Sequence, residues 1–348
     1  MEPDIAAAFE RQAAGCAALG GPFTGRVCRL LGQTLDTSTA FGRRVLDWPR
    51  DSLWPDLMPL RCCAALNTLV RQGQAVGLAA FYPPLDNADD DAFARAISAT
   101  IAAHDAGMTA FLDSPPQTNE VVRSAVLLGG FLEIARATGL PLALYEMGAS
   151  AGLNLRFDSY RYDLGHGKSW GAADAPVALA SDWRGAGPDL STPLSVAARA
   201  AVDLRPVDAR AHADRERMLA YIWPEQTNRI RRIENALDGL ARSDIHVEQG
   251  DALAWLTTQM AQPARQGVCR VVYHSVFMQY LPFELRRQLR AAIVDIGGKA
   301  GAEAPFAWLS MEAAPDRMSC ELRLTIWPGG EPRTLGRVDW HGNWAEWA

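Results

Sequence analysis

LALYEMGASAGLNL, residues 142–155, passes from apolar residues to an acid, Glu146, and then turns through Gly148, Ser150 and Gly152 into a mixed polar and apolar segment. A strand, a tight glycine turn and the start of a helix are predicted in that order. Glycine supplies backbone angles that a Cβ disfavours, and it lets a ligand approach the main chain closely. Amides at a helix start have no intrahelical partner and point at whatever sits above the strand. In open α/β sheets ligands bind outside the carboxyl ends of the strands, where this turn falls. The candidate site is therefore placed here.

Outward from it, the amino-terminal side reads helical. Apolar residues recur at three- and four-residue steps over 5–35, 57–80 and 91–112, separated by WPRDSLWPD and FYPPLDNADDD. A further helix is expected over 119–138, stopped by Gly139-Leu140-Pro141. From residue 141 the rhythm changes. Strands are expected at 141–147, 199–204, 244–248, 268–274 and 305–312, with helices at about 207–222, 226–242, 251–261 and 282–296. Such alternation implies a parallel sheet with helices on both faces. The tail ELRLTIWPGGEPRTLGRVDWHG reads as two strands around a Pro-Gly-Gly turn, an antiparallel hairpin. The expected organisation is a helical region over 1–115 and an α/β domain over 116–348, with an insertion at about 156–198. Within that insertion FDSYRYDLGHGKSWGA alternates like a hairpin and leaves only a short helix after the glycine loop.

Read as Glu-x-Gly-x-Ser-x-Gly, residues 146–152 look like the first motif of Rossmann-like S-adenosylmethionine-dependent methyltransferases. The resemblance implies that Glu146, Gly148, Ser150 and Gly152 surround the cofactor. Ser150 departs from the pattern, because a Cβ and a hydroxyl stand where the middle glycine is usual. In the same pattern an acid ending the second strand accepts the ribose hydroxyls, and Asp203 in AAVDLRPVD stands at that point. An acid after the third strand accepts from the adenine amino group while the next amide serves a ring nitrogen. Asp251 and Ala252 in QGDA match it. Either aspartate also reads as a helix cap. The implied fold is α/β, a Rossmann-like methyltransferase-type sheet with a C-terminal antiparallel hairpin, preceded by an all-helical N-terminal region.

GASAG is equally a G-x-S-x-G, the nucleophile elbow of α/β-hydrolases. Asp295 and His341 follow it in the required order. No HGG-type segment precedes it, however, and such a sheet needs strands where this chain reads helical.

For catalysis, His274 ends the fourth expected strand, followed by Gln279 and Tyr280. With an ordinary pKa near 6.5, a histidine there can take a proton from a nucleophile; the plain alternative is a ring hydrogen-bonded within its own loop. Gln117, Asn119, Glu120 and Arg123 form a second polar group, with Asn119 and Glu120 each at helical spacing from Arg123. Arg123 could grip a carboxylate in two-pronged fashion, whereas Asn119 also reads as an N-cap. Together these residues outline the acceptor side of one pocket for a small polar substrate.

The 348 residues carry a formal net charge of −6 and 49% hydrophobic residues. That balance supports a large core and disfavours general nucleic-acid binding, which needs a basic surface. The six cysteines show neither CxxC nor metal-ligand spacing, so reduced thiols and no metal are expected. The opening MEPDIAAAFERQ is unlike a signal peptide, and no apolar run reaches membrane length. A soluble cytoplasmic protein is expected, with no oligomeric state legible. QTNEVVRSAVLL, EMGASAGLNLRFDSYRYDLG, YIWPEQTNRIRRI, GDALAWL, VVYHSVFMQYLP, WPGG and HGNWAEW together resemble a family of uncharacterised bacterial proteins known only as a domain of unknown function. The resemblance implies a fold and a ligand, S-adenosylmethionine, but no established reaction. A methyltransferase acting on a small polar acceptor is the expectation; a serine hydrolase, or a non-catalytic protein retaining the fold, are the alternatives.

Overall fold

In the computed structural model, which describes residues 3–85 and 87–348, the chain divides into two compact units. One runs to Thr118 and resumes over Ala211–Glu234; the other comprises Asn119–Arg210 and Asn235–Ala348.

The first unit is helical. Each expected long stretch is broken in two: Pro3–Ala18 and Pro22–Thr34, Met58–Arg71 and Val76–Ala79, Asp90–Ala103 and Asp105–Phe111. The first break is local chemistry, since Gly20 holds φ +83° and Pro22 opens the next helix. Ile5, Phe9, Leu31, Phe41, Met58, Leu66, Phe93 and Ile97 are fully buried in one core. Residues 211–234 join this unit, which separates them from the 116–348 region expected as one domain. Asn67 Nδ2 donates to the carbonyls of Ala220 and Ile222 at 3.0 and 3.2 Å. Arg71 pairs with Glu216 at 3.0 Å. Such partners lie far apart in sequence, which periodicity alone does not reveal.

The second unit holds the strands β1 (Leu142–Met147), β2 (Arg161–Asp163), β3 (Ser169–Trp170), β4 (Ala178–Ala180), β5 (Asp182–Arg184), β6 (Val196–Asp203), β7 (Glu248–Gln249), β8 (Cys269–Ser275), β9 (Phe306–Ala313), β10 (Cys320–Trp327), β11 (Arg333–Val338) and β12 (Trp344–Trp347). A nine-stranded sheet runs β5-β12-β11-β10-β9-β8-β1-β6-β7. Its strands from β7 to β9 are all parallel. β9, β10, β11 and β12 then form an antiparallel meander, and β5 adds parallel to β12. The expected tail hairpin is β10 with β11, but the meander already begins at β9. The expected third strand shrinks to two residues. In the insertion, β2 pairs antiparallel with β3, the alternation read from sequence, and parallel with β4.

Alternation along the strands separates two faces. Glu146 on β1 lies opposite Tyr273 on β8, and the Tyr273 ring meets Phe131 of helix Arg123–Thr138 edge-on at 5.1 Å. That helix comes close because Gly130 has no Cβ; one there would run into the Leu309 side chain. Met147, Val202 and Val272 belong to a core with Trp255 and Leu256 of helix Ala252–Ala261 and Leu289 and Ile293 of helix Phe283–Gly298. Each fully buried aliphatic side chain contributes about 1.5–3 kcal/mol. Among the described residues, no helix is long and apolar enough to cross a membrane.

Candidate functional site

The loop after β1 is a fastened structure. Gly148, Ser150 and Gly152 have φ of +68°, +55° and +86°, and the amides of Gly148 and Ala149 both donate to the Val202 carbonyl on neighbouring β6. Asp203, the next residue, accepts the Ser150 amide at 2.8 Å on one carboxylate oxygen and the Arg205 amide at 2.8 Å on the other. Leu153 donates its amide to Asn119 Oδ1 at 3.0 Å. The expected helix after the loop is a short 3-10 segment, Leu153–Ser159, with a non-helical Arg156. Its opening amide is therefore not free for a ligand, contrary to the expectation from sequence. Gly148 has a further steric reason: a Cβ there would collide with the Phe277 ring.

Below the loop lies a buried polar network. Glu146 is only 2% exposed. It accepts from the Tyr273 hydroxyl at 3.1 Å and from the Asn154 amide, while Asn154 Oδ1 accepts from Ser124 Oγ at 2.7 Å. Burial drives the Glu146 carboxyl up to about 8; Tyr273 and Asn154 oppose that shift, the Asp203 charge adds to it, and Arg123 opposes it. At neutral pH Glu146 is thus largely protonated.

His274 turns to the opposite face from Tyr273. Trp308 Nε1 donates to its Nε2 at 3.0 Å, so that nitrogen is an acceptor and the ring proton sits on Nδ1, 2.6 Å from Glu312 Oε1. The ring is fully buried. No ring nitrogen is left for a substrate proton, and the expected general base is instead a strut. The same Glu312 oxygen accepts the amides of Phe277 and Met278 at 3.0 and 3.1 Å. Burial alone would raise the Glu312 carboxyl; the hydrogen bond from His274 and those from the two amides override it and hold it below the usual range. Between His274 and Phe277, Val276 takes φ +52°, a strained angle for a β-branched residue. The clasp on Glu312 thus fixes a strained turn that lays Phe277 against Gly148.

The proposed acceptor group does not assemble around His274. Asn119 buttresses the loop, buried Glu120 accepts the Val122 amide at 3.2 Å, and Arg123 Nε donates to the Trp340 carbonyl at 2.9 Å. These residues border the helix on the Glu146 face, away from the His274 ring. Gln117 falls in the helical unit. Gln279 and Tyr280 are exposed on the 3-10 turn after β8. Asp251 caps helix Ala252–Ala261, one of its oxygens accepting the amides of Leu253 and Ala254 at 3.0 Å each. Buried Ala252 opens that helix. Asp251→Ala should therefore cost about 1 kcal/mol in urea denaturation, even without ligand.

Ser150 Oγ is buried and has no hydrogen-bond partner. An activated nucleophile needs a base within hydrogen-bond reach, and neither histidine nor acid touches this hydroxyl. Asp295 is paired with Lys299 at 2.5 Å on helix Phe283–Gly298. Among the participants missed in sequence, Glu312 had the clearest signal, an acid closing the apolar run PFAWLSME.

The model of a family described as "Uncharacterized protein conserved in bacteria (DUF2332)" matches residues 6–347. No curated protein matches the chain.

Proposed function

The chain belongs to that bacterial family, and we propose that it is an S-adenosylmethionine-binding protein of the Rossmann-like methyltransferase type, transferring a methyl group to a small polar acceptor. The observation that carries this reading is the joining of two strand ends: Asp203, at the end of β6, holds the Ser150 amide of the loop that follows β1. The pair lies at strand ends within the parallel order β7-β6-β1-β8-β9, and this supports the reading because ligands of open α/β sheets bind outside such ends.

The residues present fit such a ligand. Asp203 is half-exposed, so the carboxylate fixed by two amides can still accept ribose hydroxyls. Ser150 offers a buried hydroxyl without a partner, and Asp251 uses one oxygen for its cap. The cofactor, when bound, supplies a methyl group on a sulfonium. Glu146, protonated and hydrogen-bonded beneath the loop, keeps a negative charge out of the buried floor. Phe277 supplies an apolar wall beside Gly148. With His274 occupied, methyl transfer here relies on holding the acceptor in line, which needs no general base.

Calorimetry with S-adenosylhomocysteine tests the reading. Saturable binding at one site per chain is expected, weakened about tenfold or more by Asp203→Ala, the usual effect of losing a hydrogen bond to a charged group. Absence of binding to the wild-type protein would refute it.

A further inference from the structure

Of the amides that a glycine loop offers a ligand, all but that of Ala151 are here already spent: Gly148 and Ala149 on Val202, Ser150 on Asp203, Gly152 on the Ala149 carbonyl, and Leu153 on Asn119. A phosphate-binding loop works the other way, leaving successive backbone N–H groups to converge on the anion. Beside the single amide of Ala151, too few for an anion nest, this loop leaves a side chain unsatisfied. Ser150 is 8% exposed, and its Oγ is buried without a hydrogen-bond partner. The same residue sits at φ +55°, where a Cβ crowds the following carbonyl. Serine thus carries two separate costs at one position, and glycine would carry neither. Strained backbone and orphaned buried polar groups concentrate at ligand sites, where binding supplies the missing partner.

Resting on the S-adenosyl reading above, we propose that the Ser150 hydroxyl is the recognition group of this loop: it exchanges a hydrogen bond with a hydroxyl, amino or carboxylate group of the ligand, and the loop excludes ligands that must be gripped by a phosphate. The ligand class is accordingly a nucleoside or amino-acid derivative without phosphate. Dinucleotides and nucleoside triphosphates, which other glycine loops at this place in an α/β sheet cradle, fall outside it.

Wild-type protein, Ser150→Ala and Ser150→Gly are compared by thermal unfolding without ligand, and by calorimetry with S-adenosylhomocysteine and with NAD as the pyrophosphate probe. Alanine removes the hydroxyl alone; glycine removes the hydroxyl and the strain. Both variants should unfold above the wild type, the glycine variant by about 2 °C or more. Both should bind S-adenosylhomocysteine about tenfold or more weakly, and NAD should bind to none of the three. Stabilised variants with unchanged affinity overturn the assignment, as does a glycine variant that unfolds no higher than the wild type, or NAD bound in the same loop. If the wild type binds no S-adenosylhomocysteine, the S-adenosyl reading falls and the assignment falls with it; binding that the variants leave unchanged removes the assignment alone.

Discussion

Glu146→Gln should abolish a loss of stability that the wild-type protein shows as pH rises from about 4.5 to about 8. In the unfolded chain this carboxyl titrates near its ordinary value of 4.5, whereas in the folded protein burial holds it protonated up to about 8. Across that window the folded state binds one more proton than the unfolded state, so stability falls with increasing pH. The contribution is fully present below the unfolded value, and it is gone once pH has passed the folded one. Integrated over the window it amounts to at most about 5 kcal/mol. Urea denaturation at pH 5, 7 and 9 measures it: the difference between wild type and variant should change by several kcal/mol between pH 5 and 9. A difference that stays constant with pH would show that Glu146 is ionised in its buried setting.

Glu312→Ala should be the most damaging single substitution of the second unit, costing about 3–5 kcal/mol. One carboxylate oxygen serves the His274 ring and the amides of Phe277 and Met278, and each buried donor left without an acceptor costs about 1–3 kcal/mol. Glu312→Gln retains an acceptor oxygen and should lose less than half as much. Chemical denaturation of the two variants distinguishes a specific clasp from general sensitivity, since equal losses would mean that the side chain's volume matters and its oxygen does not.

Where a feature depends on neighbours along the chain, the residues disclosed it. β1, β8 and β9 lie within a residue or two of their expected bounds because apolar runs between glycine and proline signals mark buried parallel strands. Asp203 and Asp251 were visible as strand-end acids, and the capping role open to both is the one Asp251 performs. Contacts between distant segments were not visible. DIHVE contributes only its last residue to β7, and nothing local links residues 211–234 to the first helical unit. His274 illustrates the limit. Its place at a strand end was legible, but which face the ring takes depends on Trp308 and Glu312, two positions on another strand.

β5 and β12 pair in parallel, Asp182 against Trp344 and Arg184 against Glu346, with the Trp183 and Trp347 rings 4.7 Å apart. On a ribosome the two are made at very different times. Asp182–Arg184 emerges long before Trp344–Trp347 exists, so for much of translation this ribbon has no place to dock, and β11 likewise waits with an open flank. Exposed ribbons of this kind recruit one another between growing chains. The shortness of β5 and the charges of Asp182 and Arg184 around a single tryptophan make it a poor template for such pairing. They guard the half-made chain as well as trimming the finished sheet.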